Sequence, residues 1–351
     1  MRKKLVVFCD GTWNRADQRA KDGHPCPTNV LRLFEATQSQ SDDGEPQIIH
    51  YVEGVGTRRD ETFSGGVFGI GISANIKNAY GFIVSNYEPG DQIYLFGFSR
   101  GAYTARSLAG MIKDVGILKR PELHRVNEAY TSYKDRTPEW RPDSEKAKQF
   151  RANYTHGNET IAFLGVWDTV GALGSPFSTP LGLLINKLLR IEFHDVRLSS
   201  IIESAYHALS IDERRWPFHP CLWELNDAQR QKNAENEIPF FEEKWFRGVH
   251  SDIGGGYEKT GLSDCSLAWI AERAKQRGLN VDTEFKDICT PPFEPDETQP
   301  AEKSQTLFYR ATAVLFTKLP SLVWKNPVLA RSPGILLWSG DYIRRPGELS
   351  S

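Results

Sequence analysis

The chain is short of cysteine, of long apolar runs and of net charge, and each shortage excludes something. Cysteine occurs five times in 351 residues, an odd and scattered set at positions 9, 26, 221, 265 and 289. No pair stands at metal-finger spacing and no disulfide framework fits, so reduced thiols and synthesis in the cytoplasm are expected. No window reaches the ~18 to 20 apolar residues of a membrane span. A formal net charge of -2 leaves no overall basic field to draw in nucleic acid. Met1–Lys4 ahead of Leu5–Phe8 resembles the start of a signal peptide, but the apolar run is too short and Asp10 ends it. Export is therefore expected only through machinery that needs no cleavable signal. Repeats and long low-complexity tracts are also absent.

What is present suits a large globular fold. Hydrophobic residues make up 39% and charged residues 25%, so an ordinary buried core is expected. Nine Trp, 19 Phe and 12 Tyr allow an aromatic-lined pocket as well. Leu5–Cys9, Gln47–Val52, Gln92–Phe98, Thr160–Trp167 and Trp245–Val249 read as short buried strands. Between them, Thr28–Thr37, Ser73–Tyr87, Ala102–Ile112 and Ser263–Gly278 carry helical spacing. Gly54–Gly71 reads as a Gly-rich loop. Strands alternating with helices predict an α/β fold, with a mainly parallel central sheet covered by helices on both faces. The expected division is a core over 1–280, interrupted by an insertion at about 173–240, with 281–351 as a C-terminal extension packed on it. Sites in such sheets lie at the carboxyl ends of strands. Asp10, Ser99, Asp168 and His250 each follow an expected strand, so four strands deliver polar residues to one edge.

Ser99 stands in Gly97-Phe98-Ser99-Arg100-Gly101, a Gly-x-Ser-x-Gly pattern between a strand and a helix start rich in small residues. A sharp strand-to-helix turn leaves little room, which demands glycine on both flanks. The turn presents the hydroxyl at a helix N-terminus, where the Arg100 N–H can help hold an oxyanion. A serine hydroxyl needs a general base held by an acid, in the chain order Ser, Asp or Glu, His. His250 is the base expected from its place at a strand end before Gly254-Gly255-Gly256. His207 and His219 are its rivals, with His207 read as helical. Asp168 is the first choice of acid, and Asp212 and Asp264 remain alternatives. Asp252, two residues from His250, suits a role in orienting the loop.

Asp10-Gly11-Thr12-Trp13-Asn14 follows the first strand. Its backbone, at Gly11 and Thr12, is expected to supply the second oxyanion N–H. Asp10 as a phosphatase-type nucleophile lacks the second Asp two residues on, where Thr12 stands. A metal-dependent phosphodiester hydrolase would instead use Asp10, Asp168, His250 and Asp252, and a non-catalytic scaffold would use none of them.

Five blocks together resemble a family. They are Val7–Asn14, Gly97–Tyr103, Gly165–Gly171, His207–Glu213 and Gly248–Tyr257. They are similar to the signature blocks of a bacterial and fungal α/β-hydrolase domain family, which includes the first class of type VI secretion lipase effectors. The resemblance implies a Ser99–Asp168–His250 triad, no metal or other cofactor, and ester hydrolysis with phospholipid as leading substrate. It also brings in a secretion machine as a partner and a lid within the insertion. Leu181–Ile191 in that insertion and Ile335–Trp338 near the C-terminus could each touch a bilayer surface, or pack into the core.

Overall fold

A computed structural model of the chain describes residues 2–11, 14–20, 23–55, 65–135, 137–157, 159–170, 198–215, 218, 220–285 and 291–302, with the backbone alone over 65–70. Six strands form one sheet: β1 (Lys4–Cys9), β2 (Gln47–Val52), β3 (Gln92–Phe98), β4 (Phe163–Trp167), β5 (Ala205–Ser210) and β6 (Phe241–Phe246). Their order is β2-β1-β3-β4-β5-β6, and every neighbouring pair is parallel. The helices are α1 (Asn29–Ala36), α2 (Gly65–Asn86), α3 (Arg100–Val115), α4 (Val126–Lys134), α5 (Glu145–Tyr154), α6 (Asp227–Ala234), α7 (His250–Gly254) and α8 (Gly261–Gln276). A parallel sheet with a serine on the strand-to-helix turn after a central strand is the α/β-hydrolase arrangement.

Alternation along β1 explains why both faces are covered. Leu5, Val7 and Cys9 face one core, shared with Ile76, Tyr80 and Ile83 of α2 and Leu108 of α3. Val6 and Phe8 face the other, shared with Val30 and Leu33 of α1 and Leu267 and Ile270 of α8. Successive strand residues point to opposite faces, so a near-continuous apolar run means burial on both. Across the second face an aromatic row crosses four strands. Phe8 stacks on Phe96 at 5.0 Å, Phe96 meets Phe163 at 5.2 Å, and Phe163 stacks on Tyr206 at 5.3 Å.

The winding sets the site. The chain passes from β1 to β2 on one side and returns to place β3 on the other side of β1. A crevice opens at such a reversal, outside the carboxyl ends of the strands. Helix α1 is anchored beside it. Thr28 caps α1, its Oγ1 accepting from the Leu31 N–H at 3.2 Å. The buried Asn29 amide donates to the Ile253 and Ser263 carbonyls at 2.9 and 2.8 Å, tying α1 to α7 and α8. A fully buried Arg32–Asp264 ion pair joins the same helices.

Three expectations change here. β5 falls inside the stretch expected as an insertion at 173–240, so part of it belongs to the sheet. The sequence Ala205-Tyr206-His207-Ala208-Leu209-Ser210 hides a strand because its buried polar residues find partners there, and His207 is therefore a strand residue and not a helical one. Helix α2 begins at Gly65, within the stretch read as a loop. A Cβ on Gly71 would stand 2.3 Å from Val55 Cγ1, so glycine here serves a close helix–strand-end contact. Leu181–Ile191, Ile335–Trp338 and most of the 281–351 extension lie outside the described residues. Among the described residues no helix is long and apolar enough to cross a membrane.

The aromatic row yields a stability prediction. Phe163 is fully buried between Phe96 and Tyr206. Phe163→Ala should lower unfolding free energy by about 3–5 kcal/mol, read as a lower urea midpoint with an unchanged slope. A loss under about 1 kcal/mol would mean that the row does not carry the core.

Candidate active site

The turn after β3 holds Ser99 in a conformation that few residues adopt, with φ 56° and ψ -117°. Such backbone costs on the order of 1–3 kcal/mol and persists only where the surroundings enforce it. Here the flanking glycines show the constraint. A Cβ on Gly97 would lie 2.5 Å from the Gly101 carbonyl oxygen, and one on Gly101 would lie 2.0 Å from the Cys9 carbonyl oxygen. Helix α3 therefore starts directly against the end of β1. The Ser99 N–H donates to the Trp167 carbonyl at 3.0 Å, and the Ser99 carbonyl accepts from the Tyr103 N–H at 3.2 Å. The first-turn N–H groups of α3, that of Arg100 among them, point out of the helix end at which Ser99 stands. Burial pulls the Arg100 guanidinium down to about 10, so it stays charged at neutral pH.

Three sequence-predicted residues meet in one hydrogen-bonded chain. His250 Nε2 lies 2.8 Å from Ser99 Oγ, and His250 Nδ1 lies 2.6 Å from Asp168 Oδ2. All three are buried, at 6% (Ser99), 5% (His250) and 0% (Asp168) exposure. With a carboxylate as its partner, Nδ1 carries the proton and Nε2 accepts from the serine hydroxyl. His250 opens α7 rather than ending a strand, because β6 stops at Phe246 and Gly248 turns the chain at φ 112°. Two phenyl rings hold the imidazole, Phe98 at 4.7 Å and Phe218 at 4.8 Å. A Cβ on Gly254 would collide with the Phe98 ring at 2.0 Å, which gives that glycine a steric role.

Asp168 has φ 39°, a left-handed turn unusual for a non-glycine residue. Its carboxylate receives Ser210 from β5 as well as His250. The Ser210 N–H donates to Oδ1 at 3.0 Å and the Ser210 hydroxyl to Oδ2 at 2.9 Å. Sequence reasoning passed over Ser210 because its strand was not recognised. The same strand gives His207, whose ring bonds to the Thr169 N–H and to Glu243, so it is not placed on Ser99. Glu213 was also passed over. Its carboxylate accepts from the His250 N–H at 3.2 Å and pairs with Arg215 at 2.7 Å. Burial pushes the Glu213 carboxyl up, but Arg215 and the N–H donors outweigh it and hold it below the usual range.

The other acidic candidates are engaged elsewhere. Asp264 pairs with Arg32, and Asp212 accepts from the Gly248 N–H at 2.8 Å. Asp252 Oδ2 accepts from the Val249 and Glu302 N–H groups, both at 3.0 Å. His219 lies outside the described residues.

Asp10 is buried beside the site and is saturated by donors. Thr28 Oγ1 and the Tyr51 hydroxyl donate to Oδ2, each at 2.6 Å; the Gly11 N–H and Asn14 Nδ2 donate to Oδ1 at 2.6 and 3.3 Å. Burial raises its carboxyl pKa, and these hydrogen bonds oppose the rise. A carboxylate so occupied ties Gly11 and Asn14 to the end of β1 and is not placed to attack a substrate. The Gly11 N–H, expected as an oxyanion donor, donates here to the adjacent Asp10 Oδ1. The second donor expected at Thr12 lies outside the described residues. A Cβ on Gly11 would reach 3.4 Å from Ser99 Cβ, so the turn does lie against the serine.

Residues 3–273 match the sequence model described as the type VI secretion system (T6SS) phospholipase effector Tle1-like catalytic domain. The chain belongs to that family. It is 32% identical over 241 residues to the uncharacterized protein YEL023C of Saccharomyces cerevisiae, a match covering 62% of this chain and 32% of that protein. The chain thus spans about a third of the length of that curated relative. Among solved structures, an uncharacterized protein from Pseudomonas aeruginosa aligns at TM-score 0.45 and 18% identity, over 84% of this chain and 49% of that one. Esterase 2 of Thermogutta terrifontis, phosphoramylated by tabun, aligns at TM-score 0.39 and 14% identity, over 80% and 84%.

Asp10→Ala should strand the Thr28 and Tyr51 hydroxyls and two amide N–H groups. The expected loss is about 2–4 kcal/mol of unfolding free energy, measured by denaturant titration. A near-neutral change would show that the four donors do not depend on the carboxylate.

Proposed function

We propose that this member of the Tle1-like family is a serine hydrolase that cleaves carboxylic esters of lipids, phospholipids foremost, through an acyl-serine intermediate. The observation that carries this reading is the bonded chain Ser99–His250–Asp168 at the reversal point of the sheet. Ser99 Oγ attacks the ester carbonyl carbon while His250 Nε2 takes the hydroxyl proton. The carbonyl electron pair moves to oxygen, and the resulting oxyanion lies at the N-terminus of α3, where the Arg100 N–H is the candidate donor. When that pair returns, the bond to the alcohol breaks and His250 gives its proton to the leaving oxygen. Water then attacks the acyl-serine with His250 again as base, which releases the acid and restores Ser99. Asp168 keeps the proton on Nδ1 and faces the imidazolium as it forms.

Phospholipid is favoured because the family is described by phospholipase effectors. The same description favours a secretion-system context for the protein. A metal-dependent reading has less support, since both oxygens of the Asp10 and Asp168 carboxylates are occupied by protein donors.

Incubation with mixed phospholipids and neutral esters, followed by mass spectrometry, tests the reading. Wild type should release free fatty acid, with the Ser99→Ala rate lower by at least about 10³-fold. Release of phosphorylated head groups instead, or activity that survives Ser99→Ala, would overturn it.

A further inference from the structure

A second histidine–carboxylate pair lies one strand away from the first. His207 sits on β5, fully buried, paired in register with Val166 of β4 on one side and Glu243 of β6 on the other. Its Nδ1 lies 2.9 Å from Glu243 Oε1, and its Nε2 accepts from the Thr169 N–H at 3.1 Å. The ring stacks on Trp223 at 5.1 Å with an interplanar angle of 26°. The Trp223 N–H donates to the same Glu243 oxygen at 3.1 Å, so the carboxylate is fixed as well.

This arrangement permits one tautomer. A carboxylate accepts, so Nδ1 must carry the proton; a backbone N–H donates, so Nε2 must be bare. The opposite tautomer would point N–H at N–H and leave Glu243 facing a lone pair. Thr169 is the neighbour of Asp168, in the left-handed turn that ends β4. The turn is pinned at three successive points. The Asp168 N–H donates to the Ala208 carbonyl at 2.7 Å, the Thr169 N–H donates to His207, and the Thr169 carbonyl accepts from the Cys221 N–H at 3.0 Å. Two of these three points come from β5, as does the Ser210 that bonds the Asp168 carboxylate.

We propose that His207, locked in its Nδ1–H tautomer by Glu243, is a positioning residue that holds the Asp168 turn at the geometry required by His250. The proposal rests on the reading of Asp168 as the acid of the site. His207 is bonded to the Thr169 N–H and to Glu243 and not to Ser99, so it acts through the Thr169 N–H. Glu243 does for His207 what Asp168 does for His250, but the atom served is a backbone amide instead of a hydroxyl.

Two measurements on the whole chain test it. In protein labelled with ¹⁵N-histidine, the His207 signals, assigned by their loss in His207→Gln, should report a proton on Nδ1 and none on Nε2 near neutral pH. An Nε2–H tautomer would overturn the proposal whatever the activity. Hydrolysis of a nitrophenyl ester by variants is the second measurement. His207→Leu should lose about 10²-fold in kcat, the scale of a displaced catalytic geometry, with KM little changed. His207→Gln keeps a carbonyl acceptor and an N–H donor and should recover most of that rate. Glu243→Ala should lose a similar factor, and the double variant no more than the larger single loss. Equal kcat in wild type and His207→Leu would overturn the proposal, as would equal losses in the Leu and Gln variants. Absence of hydrolysis by folded wild type would instead count against the serine-hydrolase reading, and the tautomer measurement is unaffected by it.

Discussion

The close approach of α3 to the end of β1 is the constraint on which the site depends. The helix begins where only a glycine fits, with Gly101 against the Cys9 carbonyl, and this forces the turn that lifts Ser99 into an unusual backbone conformation. Neither core face makes this contact by itself. It follows from β1 and β3 lying side by side while the chain winds outward from them in opposite directions. The crevice, the serine and the Asp10 turn are consequences of one topological reversal. Residues of the later strands then have to reach that point, and His250 does so from α7 with two phenyl rings holding it in place.

Two buried carboxylates lie at this edge, and their partners separate their roles. Asp10 accepts from Thr28, Tyr51, Gly11 and Asn14, all from its own region of the fold. Its donors are hydroxyls and amides that cannot take up charge at neutral pH, so it serves as a fixed post for the turn beside Ser99. Asp168 accepts from Ser210 and from an imidazole that can become charged. In the proposed mechanism, Asp168 faces the imidazolium that forms when His250 takes the serine proton. The same residue type at two strand ends thus performs two tasks, decided by what donates to it.

Much of this was legible in the sequence because strand ends and glycines are strong local signals. Leu5–Cys9 and Gln92–Phe98 are apolar runs that stop at Asp10 and Ser99, and the pattern around Ser99 carries its own steric logic. β5 was not legible. Its six residues include a histidine and a serine, and their burial is acceptable only because Glu243 on β6 and Thr169 and Asp168 in the turn after β4, all distant in sequence, supply their partners. Once β5 was missed, Ser210 and the true setting of His207 were missed with it. The bond from the Gly11 N–H to the adjacent Asp10 side chain was also hidden, because spacing does not reveal it. The membership of Asp168 in the site was inferable from chain order, but its left-handed turn and its pinning by β5 were not.

The central claim is that Ser99 is a nucleophile activated by His250, and covalent labelling tests it most directly. The intact protein would be treated with a fluorophosphonate, digested and mapped by mass spectrometry, alongside His250→Ala. The account predicts a single adduct on the peptide carrying Ser99, formed rapidly in wild type and at least about 10²-fold more slowly without the imidazole. An adduct on another residue, no adduct on folded wild type, or equal labelling in both proteins would contradict it.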